Sequence, residues 1–252
     1  MNKGTLRQVA NVAALVVTLV VNALANALPL NGQTTGEISD RFRVLFVPAG
    51  YVFSIWGLIY LGLIAFTIYQ ALPGQRENPR LRRIGYLFAL ASLANSVWIF
   101  LWHYEAFILT VIAMLTLLLS LIAIYLRLDI GRARVSAIEN WVVNIPFSIY
   151  LGWITVATVA NVTAVLAYLN WNGFGINQTA WAVAMLAIAA SIACAMMIVR
   201  ADLAYMLVII WAFVGIAVKQ ASTSAVAITA ALLIVTLALV VGVSPRSRWS
   251  SA

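Results

Sequence analysis

The chain is expected to be an all-α, polytopic transmembrane helical bundle of about eight spans, and three observations predict this. First, 64% of its 252 residues are hydrophobic and only 9% are charged, with a mean hydropathy of +1.02. A soluble domain is roughly 45–50% apolar and about 25% charged, so this chain has more apolar surface than it can hide by folding on itself in water. Second, the apolar residues gather in runs of about 20, the length that crosses a bilayer. Third, the basic residues fall between those runs with a bias toward one side.

Taken in order, the runs are Val9–Leu28, Val47–Gln70, Ile84–Trp102, Phe107–Leu126, Trp141–Leu169, Gln178–Val199, Leu203–Val218 and Ser222–Val243, the seventh being short. The first follows Lys3 and Arg7 as a signal peptide would. It is about 20 residues long with no convincing small-x-small cleavage site after it, so it reads as a retained span.

Twelve of the fifteen basic residues lie on one side: Lys3, Arg7, Arg76, Arg80, Arg82, Arg83, Arg127, Arg132, Arg134, Arg200, Arg246 and Arg248. Arg41, Arg43 and Lys219 lie on the other. That split puts both termini in the cytoplasm of a multi-pass cell-membrane protein and requires an even number of spans. The net charge of +8 is thus explained by topology; the partner it implies is the lipid bilayer, with no nucleic acid. The lone cysteine, Cys194, lies inside an apolar run and excludes an internal disulfide.

The turn His103–Glu105 is tight and makes spans three and four an antiparallel hairpin. The connection Pro29–Phe46 is longer and carries Glu37, Asp40, Arg41 and Arg43. Long loops of this kind are often lids, so it is either a lid on the outer face or a plain surface connection.

Tryptophan normally gathers at the lipid–water boundary. Trp102, Trp141, Trp171, Trp181 and Trp249 obey, at span ends, whereas Trp56, Trp98, Trp153 and Trp211 lie inside spans. In PAGYVFSIWGLIY, residues 48–60, the side chains of Phe53, Trp56 and Tyr60 are three and four apart and share one helix face. Span three repeats the spacing with Asn95, Trp98 and Trp102, and span five carries Tyr150, Trp153 and Asn161. Asparagine is costly in lipid and turns toward protein. Three such stripes at similar depth predict either helix packing or one shared cavity under the outer loop. A cavity walled by indole, phenol and amide groups suits a large, flat, mostly apolar ligand with a few polar edges.

PAGYVFSIWGLIY resembles the second-helix motif of the TspO/translocator-protein (tryptophan-rich sensory protein) family, roughly P-P-x-W-V-F-G-P-V-W-x-x-L-Y. LANSVW (93–98) resembles that family's third-helix A-L-N-x-x-W, and YLGWITVATVAN (150–161) its fifth-helix Y-L-x-W with a following L-N or equivalent. The three matches fall in order on the three stripes and cover roughly residues 10–165. Ala49 stands in place of the second proline and Tyr51 in place of the following Trp. The interval from Phe53 to Trp56 is one residue short and lacks a proline, and Pro146 precedes Tyr150 by four residues.

The resemblance implies a five-helix core over about residues 9–169; family members normally stop after five spans, whereas the apolar runs here add three transmembrane helices over 177–243 in the same single membrane domain. It also implies a pocket for porphyrins, sterols or related hydrophobic ligands, covered by the first loop and used in sensing or transport, and a tendency to form homodimers. Carried over by position, the ligand-binding candidates are Trp56, Tyr60, Asn95, Trp98, Tyr150, Trp153 and Asn161, with Phe53 and Trp102 completing the stripes by geometry.

No phosphate loop, dinucleotide fingerprint, paired-cysteine motif or histidine-rich metal cluster is present, so no metal, no cofactor other than a bound hydrophobic ligand such as a porphyrin, and no catalytic role are expected. The absence of a mid-span Asp, Glu, Lys or Arg disfavours an ion-coupled transporter, leaving a facilitator of a small apolar molecule as the alternative. A tetrapyrrole-degrading enzyme is a further alternative, for which no acid–base pair is visible. Elsewhere, His103 and Glu105 read as turn polarity, and Glu139 with the arginines of the 4–5 connection as a solvated inner loop. Asn22 and Asn26 face either the cavity or a neighbouring helix, and Arg200 and Asp202 either pair across their turn or face water. Spans six to eight, rich in small residues, close the bundle or occupy the surface of a family dimer.

Overall fold

The structure is a computed structural model and describes residues 3–27 and 30–244. Each of the eight apolar runs corresponds to a helix, and among the described residues no strand occurs. The helices that carry those runs are α1 (Lys3–Ala27), α3 (Ile55–Ala71), α5 (Leu87–His103), α6 (Phe107–Arg127), α8 (Ile145–Tyr168), α9 (Gln178–Arg200), α10 (Leu203–Lys219) and α11 (Ser224–Val243). Three short helices, α2 (Thr35–Asp40), α4 (Pro79–Ile84) and α7 (Ala137–Glu139), lie in connections. Six of the eight, some extended by a flanking helical turn, are long and apolar enough to cross a membrane, while α5 and α10 are shorter apolar helices of 17 residues. At 1.5 Å per residue those two span about 25 Å of a hydrocarbon core of roughly 30 Å.

Local chemistry sets the breaks. Gly85, at φ +59°, turns the chain between α4 and α5. Before α8 the ladder widens into a π turn over Asn140–Asn144, because Pro146 has no N–H to give and its ring crowds the carbonyl one turn back. Ala201, left-handed at φ 52°, ends α9, and Asp202 caps α10 by accepting from the Tyr205 N–H at 2.9 Å.

The first five long helices close into a ring in which α1 packs between α3 and α5, α6 between α5 and α8, and α8 returns to α3. Helix α10 lies on the opposite side of α8 from the ring, and α9 and α11 pack on α10 and on each other. Charged residues collect at the two ends. At the basic end Arg80 holds three partners: Glu139 at 2.7 Å, Asn144 at 2.6 Å and the Leu128 carbonyl at 2.9 Å. Glu139 is only 13% exposed, so it is half of a shielded bridge and not part of a solvated loop. Arg200 pairs with Asp129 at 2.7 Å, and Arg7 donates to the Arg76 carbonyl at 3.0 Å. At the opposite end Arg41 meets Glu105 at 2.8 Å and Lys219 meets Asp40 at 2.6 Å.

Candidate functional site: a roofed aromatic cavity

All five ring helices, or the turns that lead into them, contribute to an internal cavity of about 460 Å³. Its walls carry Phe53, Trp56 and Tyr60 at the start of α3, Asn95, Trp98 and Trp102 on α5, and Trp153 and Asn161 on α8. Asn22 of α1 and Met114 and Leu117 of α6 complete them. Small residues of α8, Ala157 and Ala160, supply the room. No Asp, Glu, Lys, Arg or His lines the cavity among the described residues.

The rings are ordered by contact with one another. Trp98 and Trp102 stack with centroids 5.2 Å apart, and Trp56 and Tyr60 stack at 5.4 Å. The Trp153 ring stands edge-on to both Phe53 and Trp56, at 5.6 and 6.3 Å. Two hydrogen-bonded chains cross the ring of helices. In one, Asn22 donates to Asn95 at 2.8 Å. In the other, the Trp98 indole N–H reaches Asn161 at 3.4 Å, and Asn161 donates to the Thr110 hydroxyl at 2.8 Å. These amides therefore fix helix positions as well as facing the cavity. Two polar groups on lining residues, the Trp153 indole N–H and the Thr35 hydroxyl, are buried with no hydrogen-bond partner. Each such group left unsatisfied costs roughly 1–3 kcal/mol.

The long first connection forms the roof. Thr34 and Glu37 make a reciprocal capping box that starts α2, and its bonds hold the exposed Glu37 carboxyl below the ordinary range. Thr34, Thr35, Gly36 and Ser39 face the cavity. The roof is anchored beneath by the Trp102 N–H to the Thr35 carbonyl at 3.2 Å, by Ile38, 1% exposed, and by Phe42 edge-on to Phe107. Its far side is clamped to α10. The Ala49 N–H donates to the Gly215 carbonyl at 3.1 Å, and the Trp211 N–H to the Val52 carbonyl at 3.1 Å.

Several sequence expectations change here. Tyr150 does not line the cavity: it is 2% exposed and packs edge-on behind Trp56, with ring centroids 6.0 Å apart. Trp102, assigned to the interfacial belt as well as to the stripe, is 3% exposed because the roof folds over it. Trp211, grouped with the inward tryptophans, is 37% exposed and bonds the roof. Asn22 both lines the cavity and bonds α5, while the Asn26 side chain lies outside the described residues, as do Arg246, Arg248 and Trp249. His103 is buried, with Nδ1 against the Ile99 carbonyl at 2.8 Å. Arg200 and Asp202 do not pair.

Asp202 was missed as a structural centre. It is buried, with one oxygen accepting from the Tyr125 hydroxyl at 2.8 Å and the Ser148 hydroxyl at 2.7 Å, and burial raises its carboxyl above the ordinary range. The only local signal was an acidic residue directly before an apolar helix. Among the described residues no cluster of His, Cys, Asp or Glu could hold a metal ion.

A family model described as TSPO-like protein matches residues 8–243. The chain belongs to the TSPO-like protein family. The match runs through α9, α10 and α11 as well as the five-helix ring. Neither curated proteins nor solved structures give a match.

Proposed function

We propose that this TSPO-like membrane protein binds a flat, largely apolar ligand in the roofed cavity, for sensing or transport, without chemistry on the ligand. The observation that carries the reading is the cavity itself: about 460 Å³, walled by the indoles of Trp56, Trp98, Trp102 and Trp153 and the phenol of Tyr60, free of charged side chains among the described residues, and covered by an anchored loop. That volume lies within the 300–1,000 Å³ usual for small-molecule sites. A porphyrin or sterol-like molecule has the required shape and polarity. The gathering of twelve of the fifteen basic residues on one side supports a cytoplasmic orientation of both termini.

The test is to extract the protein in mild detergent and identify copurifying small molecules by mass spectrometry. A polycyclic or tetrapyrrole-like molecule that is retained by the native chain and lost on Trp56→Leu supports the proposal. Recovery of bulk phospholipid alone from both refutes it.

A further inference from the structure

A second concavity, of about 800 Å³, shares no lining residue with the roofed cavity. Its floor is the start of α8, and its walls are the first turns of α3 on one side and α10 on the other. The two ends differ. Toward the outer face it is stopped by Trp211, whose N–H is bound to the Val52 carbonyl and whose ring packs edge-on against Tyr51 at 5.6 Å. Toward the basic end it opens among Arg132, Arg134 and Arg200. Between these ends the walls are apolar, with Leu58 and Leu207 each about half exposed. From Leu203 to Trp211 the slot follows nine residues of α10, a rise of about 12 Å.

The arginines are brought together by a close backbone approach. Gly131, at φ +80°, presses on the α9–α10 turn so tightly that a Cβ there would lie 2.0 Å from the Arg200 carbonyl oxygen. Arg200 is held by Asp129 at 2.7 Å and lies over the Tyr125 ring. Arg132 and Arg134 are exposed and in no ion pair among the described residues. Asp129 pairs with Arg200, and the carboxyl in the lining, Asp202, is buried and turned inward to Tyr125, Ser148 and the Tyr205 N–H, which leaves Arg132 and Arg134 as the cations that face the mouth. Trp141, 69% exposed at the same end, suits the level of lipid headgroups, where tryptophan concentrates.

We propose that this groove holds one anionic glycerophospholipid, its phosphate among Arg132, Arg134 and Arg200 and one acyl chain in the slot between Leu58 and Leu207. Basic pockets between helices on the cytoplasmic side recognise such headgroups, and each arginine near the headgroup adds measurably to affinity. The closed outer end and open basic end fix the lipid's direction.

The experiment is native mass spectrometry of the purified full chain in nonionic detergent, titrated with phosphatidylglycerol, phosphatidylcholine or inorganic phosphate. One phosphatidylglycerol should be retained at least about tenfold more tightly than phosphatidylcholine. The double variant Arg132→Gln/Arg134→Gln should lose about 30-fold, whereas Arg82→Gln/Arg83→Gln, an equal charge change outside the groove, should stay within about twofold. Leu207→Trp, which fills the slot and leaves the arginines intact, should also weaken retention. Equal retention of phosphatidylcholine, equal losses in the two double variants, or no effect of Leu207→Trp would overturn the site. Displacement of the lipid by inorganic phosphate would make it a soluble-anion site and overturn the lipid.

Discussion

Gly215→Ala tests whether the roof is held down from α10. The side chain would be added where the outer loop crosses that helix most closely: a Cβ at 215 meets Val52 Cγ2 at 2.2 Å and Pro48 Cβ at 2.9 Å. Neither neighbour is a flexible chain end, so segment 48–52 must lift or the helix must shift. Overpacking of this kind costs typically about 1–3 kcal/mol. The strain falls on two hydrogen bonds of 3.1 Å, Ala49 N–H to the Gly215 carbonyl and Trp211 N–H to the Val52 carbonyl, each worth about 1 kcal/mol net. Gly215 itself does not line the cavity, so the change loosens the cover without altering the walls. Hydrogen exchange read at the two donors of the clamp, the Ala49 amide and the Trp211 indole N–H, should accelerate by about 5- to 150-fold, the factor that 1–3 kcal/mol of easier opening implies. Exchange in the middle of α6 should stay unchanged. Native exchange at those two N–H groups would refute the clamp.

Three further outcomes follow from the same geometry. Trp98→Leu removes the stack on Trp102 and the N–H that meets Asn161; thermal unfolding in detergent should show a loss of about 1–4 kcal/mol, with binding of a porphyrin probe reduced more than tenfold. Arg80→Gln strands Glu139 and Asn144 at the basic end and should destabilise by about 1–3 kcal/mol, an effect that Glu139→Gln partly offsets in the double variant. Asp202 carries a carboxyl raised by burial, so the folded chain keeps that proton over a pH range in which the unfolded chain has lost it. Its contribution to stability is therefore greatest below the ordinary carboxylate range and declines as pH rises through the raised value. Asp202→Asn should flatten that decline in a series of melting curves, and an unchanged slope would exclude Asp202 as its source.

Hydropathy placed the helices because lipid demands long apolar runs with internal hydrogen bonds, and α6 and α9 lie close to where those runs predict, whereas α3 starts at Ile55, eight residues after its run begins. The faces of Trp56, Trp98 and Trp153 were legible from three- and four-residue spacing, since helical phase alone decides which side chains share a side. Phase does not say which ring stands in front. Tyr150 shares the side of Trp153, yet Trp56 reaches across from α3 and screens it. Nor does phase foresee a loop folding back, which is why Trp102, at a span end, is covered and not interfacial. Arg200 and Asp202 are two apart and invite a local pair. Asp129, 71 residues away, takes the arginine because Gly131 lets its loop dock on the α9–α10 turn, and the aspartate turns inward to Tyr125 and Ser148.

The central claim is that the aromatic faces of α3, α5 and α8 enclose a ligand. Photolabelling with a diazirine-bearing porphyrin, competed by the unlabelled porphyrin and mapped by peptide mass spectrometry, tests it most directly. The account predicts competable labels on Phe53–Tyr60, Asn95–Trp102 and Trp153–Asn161, reduced in Trp98→Leu. Labels confined to outward residues such as Leu61, Ile68 and Leu119, each more than 60% exposed, and insensitive to competition would contradict it.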